Sequence, residues 1–157
     1  MTFISRYGKL LSGWYFMKSR SELREIVMKI LYQIFILKEA SVEFDIEKLK
    51  KEQLEIENDF VNELLYGVLE NKATIVDKAN RYLTNWPMDR LNKVDQAIIC
   101  IGVYELLYTE TPSIVAINEA VELSKKYSDE KVTKMINAVL DEIFHEKEEE
   151  SLTEGSN

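Results

Sequence analysis

Between Tyr15 and Glu150 the chain has only two glycines, Gly67 and Gly102, and it has no Asn-Gly or Asp-Gly pair anywhere. Tight hairpins turn on residues that accept positive φ, so antiparallel strands would have almost nothing to turn on. Helix is what remains, and the apolar residues repeat accordingly. The strongest case is NWPMDRLNKVDQAIICIGVYELLY, Asn85 to Tyr108. Trp86-Pro87 stops whatever precedes it, because a residue before proline is pushed out of the α region. Pro87 then opens a helical turn, where its missing N–H would have been an orphan donor. After Leu91, residues Val94, Ala97, Ile98, Ile101, Val103, Tyr104 and Leu107 follow the i, i+3, i+4, i+7 stripe. Ile99, Cys100 and Gly102 fill much of the remaining circumference, which predicts a central helix contacted from several sides. The expected fold class is all-α, with about seven helices.

The other helices read around that one. Ser19 and Glu22 form an S-x-x-E capping box, worth on the order of 1 kcal/mol, ahead of a helix from about Arg20 to Leu37. Its stripe is Leu23, Ile26, Val27, Ile30, Leu31, Ile34 and Leu37. A short helix is expected from Asp45 to Gln53, a third from Asn58 to Glu70 and a fourth from Lys72 to Thr84. Gly67 interrupts the third stripe at a cost of about 1 kcal/mol against alanine, and its expected role is to let another helix approach closely. Past the break at Pro112, a sixth helix runs from Ile114 to Lys126. Tyr127-Ser128-Asp129 ends it and caps a last helix reaching about Phe144.

These limits divide the chain into residues 1–17, 18–144 and 145–157. The first segment is aromatic and apolar, with Arg6 and Lys9, and lacks the long apolar run and cleavage site of a signal peptide. It reads as a leader, an upstream extension ahead of a start at Met17, with a short amphipathic arm as the alternative. The middle segment is a single domain large enough for a real core. From His145 onward, EKEEESLTEGSN is polar and acidic and reads as a disordered tail.

Catalysis finds little support. His145 is the only histidine and stands at the tail, so neither a serine nor a cysteine nucleophile has a base nearby. No Cys/His metal spacing, GxxxxGK[ST] or GxGxxG occurs. Cys100 excludes an internal disulfide, suits a reducing cytoplasm and reads as a small buried filler. The expectation is a binding protein with no catalytic residue, metal or cofactor. No apolar run approaches the roughly 20 residues that span a bilayer.

Charge complicates the choice of ligand. The net charge of −8 argues against a free-standing nucleic-acid binder, unless a local basic patch or a basic partner reverses it. Lys18, Arg20 and Arg24 crowd the start of the first helix, where cations oppose the helix dipole. That arrangement is either a solvated face offset by Glu22 and Glu25 or an anion site.

Read in order, the segments resemble the NusB family of bacterial transcription antitermination factors. SRSELREIVMKILYQ is similar to the family's arginine-bearing first helix, and NDFVNELLYGV to its third. The blocks NWPMDRLNKVDQAIICIGVYELLY and PSIVAINEAVELSKKYSDEKVTKMINAVLDEI resemble R-L-x-x-V-D-x-A-I-L…Y-E-L and I-N-E-A-V-E-L-A-K…F-V-N-G-V-L-D. The likeness covers roughly Lys18 to Phe144. It implies two packed helical subdomains and a cytoplasmic protein. The implied partners are boxA RNA, the ribosomal protein NusE, other Nus factors and RNA polymerase. A homodimer, an RNA-independent adaptor and an RNA-binding module of the kind that precedes methyltransferase domains are the alternatives.

Carried over by position, Lys18, Arg20, Arg24, Tyr127, Lys131 and Lys134 would face RNA. Tyr127 would stack on an unpaired base or else pack on the core. Asp95 and Asp89 would meet the protein partner, Asp95 having a helix cap or a salt bridge to Arg90 or Lys93 as its structural alternative. Ser21 and Glu22 interrupt the family's consecutive arginines, which predicts weaker RNA binding by the chain alone. Ala138 replaces the usual glycine of the last helix, a slightly helix-favouring change.

Overall fold

A computed structural model describes residues 18–156. Among them are seven α-helices and no strand: α1 (Arg20–Glu39), α2 (Ile46–Gln53), α3 (Asp59–Glu70), α4 (Lys72–Asn80), α5 (Lys93–Tyr108), α6 (Ser113–Tyr127) and α7 (Glu130–Glu154). A single 3-10 turn, Met88–Arg90, follows Pro87 and leads into α5. Polar side chains set five of the starts, Asp45 among them, which accepts from the Glu47 amide at 3.0 Å ahead of α2. The Glu22 amide donates to Ser19 Oγ at 3.2 Å and the Val61 amide to Asn58 Oδ1 at 3.0 Å. The Asp95 amide donates to Asn92 Oδ1 and the Val132 amide to Asp129 Oδ1, each at 2.9 Å. Each bond satisfies one of the donors a helix start leaves open.

α5 is the axis of the molecule. Every residue from Asp95 to Leu106 is buried, and the helix packs against α1, α3, α4, α6 and α7. α1 also packs on α2 and α3 and α6 on α7, while α4 reaches α7. α1 runs antiparallel to α5, with Arg24 beside Glu105 at one end and Glu39 paired with Lys93 at 2.7 Å at the other. α7 runs parallel to it: Ser128 reaches Asp95 near the start of α5, and Lys147 reaches Leu106 near its end. Two glycines permit the closest approaches. A Cβ added at Gly67 would overlap Tyr104 Cζ and its hydroxyl oxygen, and one at Gly102 would lie 2.9 Å from Leu140 Cδ1. Cys100 is fully buried within α5, and burial pushes its thiol up to about 12, so it is an inert filler.

Two expectations need correction. α4 ends at Asn80 instead of Thr84, because the Asn80 side chain accepts from the Met88 amide at 2.8 Å and turns the chain back. The acidic stretch after Phe144, read as a disordered tail, continues α7 through Glu154. Glu146 accepts from Lys78 and Arg81 at 3.1 Å each and from the Tyr82 hydroxyl at 3.0 Å. Lys147 Nζ donates to the Leu106 carbonyl at 2.7 Å, satisfying an acceptor that the end of α5 leaves open. Composition favoured disorder, and these tertiary anchors reverse it. The expected leader, its start at Met17 and the alternative amphipathic arm lie outside the described residues.

Candidate RNA and partner interface

The candidate surface is the seam where α1 lies along α6 and meets the α6–α7 corner. α1 and α6 run in parallel there. Ser21 Oγ donates to Glu119 Oε1 at 2.8 Å, and farther along Lys126 Nζ donates to Glu25 Oε1 at 2.7 Å. The Tyr127 hydroxyl donates to the same Glu25 oxygen. Ser21 and Glu25 are one turn apart, so α1 presents them on one face. Tyr127, 38% exposed, therefore stands at the corner with its hydroxyl tethered to α1 and part of its ring open.

The expected cations distribute unevenly. Lys18 and Arg20 are exposed at the start of α1, and Lys131 and Lys134 are exposed in the first turns of α7. Arg20 leans away from the seam toward α3, its guanidinium 5.0 Å from the centre of the Phe60 ring. Lys134 pairs with Glu130 at 3.3 Å across one exposed turn, a contact worth little in solution. Lys18 and Lys131 make no ion pair within the described residues.

Arg24 does not belong to this surface. It is 3% exposed, and its guanidinium grips Glu105, itself 1% exposed, through Nε–Oε1 at 2.6 Å and Nη2–Oε2 at 2.8 Å. Nη1 also lies 3.7 Å from Glu119 Oε2. A buried, bidentate fork of this kind has its donors committed and is not a free phosphate ligand. The sequence held the signal. Arg24 stands between Leu23 and Val27 on the apolar stripe, and Glu105 between Tyr104 and Leu106 of the most apolar helix, so both positions point inward without naming each other.

Asp95 is corrected in the same way. It is 2% exposed, accepts from Ser128 Oγ, and joins the start of α5 to the α6–α7 corner. Burial pushes its carboxyl above the ordinary range, more than the Ser128 bond pulls it down. It positions the corner and offers no surface to a partner. Asp89, on the 3-10 turn, is exposed. Sequence reasoning passes over Lys126 and takes Glu25 only as a charge offsetting the cations at the start of α1. KKY directly before the Ser128-Asp129 cap marked the lysine, but nothing local paired it with α1.

The Glu25 clasp has a pH signature. The Lys126 bond, then the Tyr127 bond, hold the Glu25 carboxyl below the usual carboxylate range. Its folded value lies below its unfolded one, so the clasp adds stability above about pH 4.5 and loses it as pH falls through the depressed value. Urea midpoints of the wild type and Glu25→Gln should differ near neutral pH and converge below that window. A constant difference across pH would show that the carboxylate charge contributes nothing.

Among the described residues no group of acidic, cysteine or histidine side chains can hold a metal ion, and no helix is long and apolar enough to cross a membrane. Comparison with known proteins gives a consistent result. Residues 21–145 match the model of the NusB family. The transcription antitermination protein NusB of Macrococcus caseolyticus is 40% identical over 131 residues, covering 82% of this chain and 98% of that protein. Its counterpart in Listeria innocua is 40% identical over 128 residues, covering 81% and 97%. Among solved structures, T. maritima NusB aligns with a TM-score of 0.71 at 31% identity, over 82% of this chain and 92% of that one. A complex of antitermination factors NusB and NusE with double-stranded RNA aligns at 0.69 and 25% identity, over 80% and 96%.

Proposed function

This chain belongs to the NusB family of transcription antitermination proteins, and on that premise we propose that it binds boxA-type RNA jointly with the ribosomal protein NusE. In that role it helps RNA polymerase, with other Nus factors, to resist termination on ribosomal RNA operons. The observation that carries this reading is the likeness to a NusB held in a complex with NusE and RNA. The protein works in the cytoplasm without catalysis, as a platform.

Lys18, Arg20, Lys131 and Lys134 supply charge for phosphates on either side of the α1–α6 seam, and Tyr127 offers a ring for an unpaired base. Asp89 is the candidate contact for the basic partner. Arg24 and Asp95 act at one remove, by fixing α1 against α5 and the α6–α7 corner against α5. A chain of net charge −8 gains little from long-range attraction to RNA, so a partner that adds positive charge to a shared surface makes binding favourable.

The test is binding of boxA RNA and a scrambled RNA, with and without NusE, at two salt concentrations. Selective binding that needs NusE and weakens in Arg20→Ala and Lys131→Ala is expected, each variant reducing the salt slope by roughly 0.7. Equal, negligible binding of both RNAs with NusE present would overturn the RNA role and leave an RNA-independent adaptor.

A further inference from the structure

We infer that Glu25 is an internal competitor of the RNA: its carboxylate occupies Lys126 and Tyr127 in the free protein, and an RNA phosphate must displace it. The inference rests on the RNA reading above and adds a regulatory residue to that surface. Two donors, the Lys126 ammonium at 2.7 Å and the Tyr127 hydroxyl, converge on one oxygen of Glu25. This is the donor pair that would clasp a phosphate oxygen at the same corner. The other seam carboxylate, Glu119, is held by Ser21 and lies beside the buried Arg24 fork. Within the described residues these two supply the side-chain hydrogen bonds to Glu25, and Lys29, one turn along α1, adds a weaker charge attraction.

Exposure decides which partner moves. The Lys126 side chain is 61% exposed and that of Glu25 only 19%, so the lysine can swing outward while the carboxylate stays in the seam. A phosphate taking Lys126 leaves Glu25 behind as an unpaired negative charge next to the RNA. The clasp thus opposes binding twice, by occupying the donors and by repelling what replaces it. It also holds the Tyr127 hydroxyl against α1, so the ring cannot re-aim toward a base until the bond breaks.

Glu25→Gln keeps the shape and removes the charge. In the presence of NusE it should bind boxA RNA about two- to fivefold more tightly than wild type, the span expected for a partly exposed ion pair. Its salt slope should steepen by roughly 0.7, because the Lys126–phosphate contact then releases RNA-condensed cations with no stranded Glu25 carboxylate to take one up again. A merely structural effect would leave that slope alone. The second measurement is a double-mutant cycle. Lys126→Gln should cost little in the wild-type background and should erase the gain in the Glu25→Gln background. Unchanged or weaker binding by Glu25→Gln, with an unchanged slope, would overturn the competitor role while leaving the RNA reading intact. Failure of the wild type with NusE to bind boxA RNA would overturn both.

Discussion

Arg24→Ala is expected to lose about 3–5 kcal/mol of stability, at the upper end of what a single substitution costs. The residue is buried at the α1–α5 crossing with both partner oxygens of Glu105 within 2.8 Å. Truncation strands the buried Glu105 carboxylate near the C-terminal end of α5, in an apolar stretch with Tyr104 and Leu106 beside it in sequence. The loss comes from that stranded charge more than from the bond itself. Replacing the pair together, Arg24→Met with Glu105→Leu, should therefore recover most of the loss, since a buried ion pair gains little over apolar side chains of similar volume. Urea unfolding of both proteins checks this. If the double variant is as unstable as Arg24→Ala, the geometry of the fork itself is what stabilises the crossing. Arg24→Lys should fail to rescue, because an ammonium cannot reproduce the two-point contact.

Gly67→Ala is the second large effect. A methyl group there would overlap Cζ and Oη of Tyr104, which is stacked on Tyr108 with ring centres 5.3 Å apart. The ring is bounded by α3 on one side and by Tyr108 on the other, so it has no easy retreat. Overpacking of this kind costs typically 1–3 kcal/mol, and the loss of tolerance to thermal unfolding should be visible as a fall in Tm. Tyr104→Leu shortens the side chain, so the two substitutions together should cost less than the sum of each alone. Strict additivity would mean that α3 shifts as a body and the ring is not the obstacle.

Helix identity was legible because it depends on local chemistry. The Ser19, Asn58 and Asp129 caps, Pro87 ahead of its turn, and the continuous apolar wrapping of α5 all act within a few residues of where they are read. Gly67 was legible for a related reason. A glycine inside a strong stripe costs helix stability and so implies a compensating neighbour, which proved to be Tyr104. The site was read less well. Arg20 and Arg24 do share a helix face, both guanidiniums lying over Phe60, but Arg24 stands one turn farther along, where α1 meets Glu105 of α5. Asp95 likewise looked like an exposed helix-entry charge until Ser128, distant in sequence, was brought against it. The same limit applies to the acidic end of α7, whose helix depends on Lys78, Arg81 and Tyr82. Charges disclose their partners only through the fold.

The continuous α7 also gives the protein a built-in ruler. Its 25 residues extend about 37 Å from the corner beside Tyr127, passing the far end of α5 at Lys147. One end borders the surface proposed for RNA, and about two turns before the other Glu146 and Lys147 fasten the helix to α4 and α5. A reporter placed near Thr153 would sit at a nearly constant separation from that corner, held by a rod instead of a tether. Changes in its distance to a label on RNA or on a partner would then register how the ligand is posed, uncomplicated by slack in the protein.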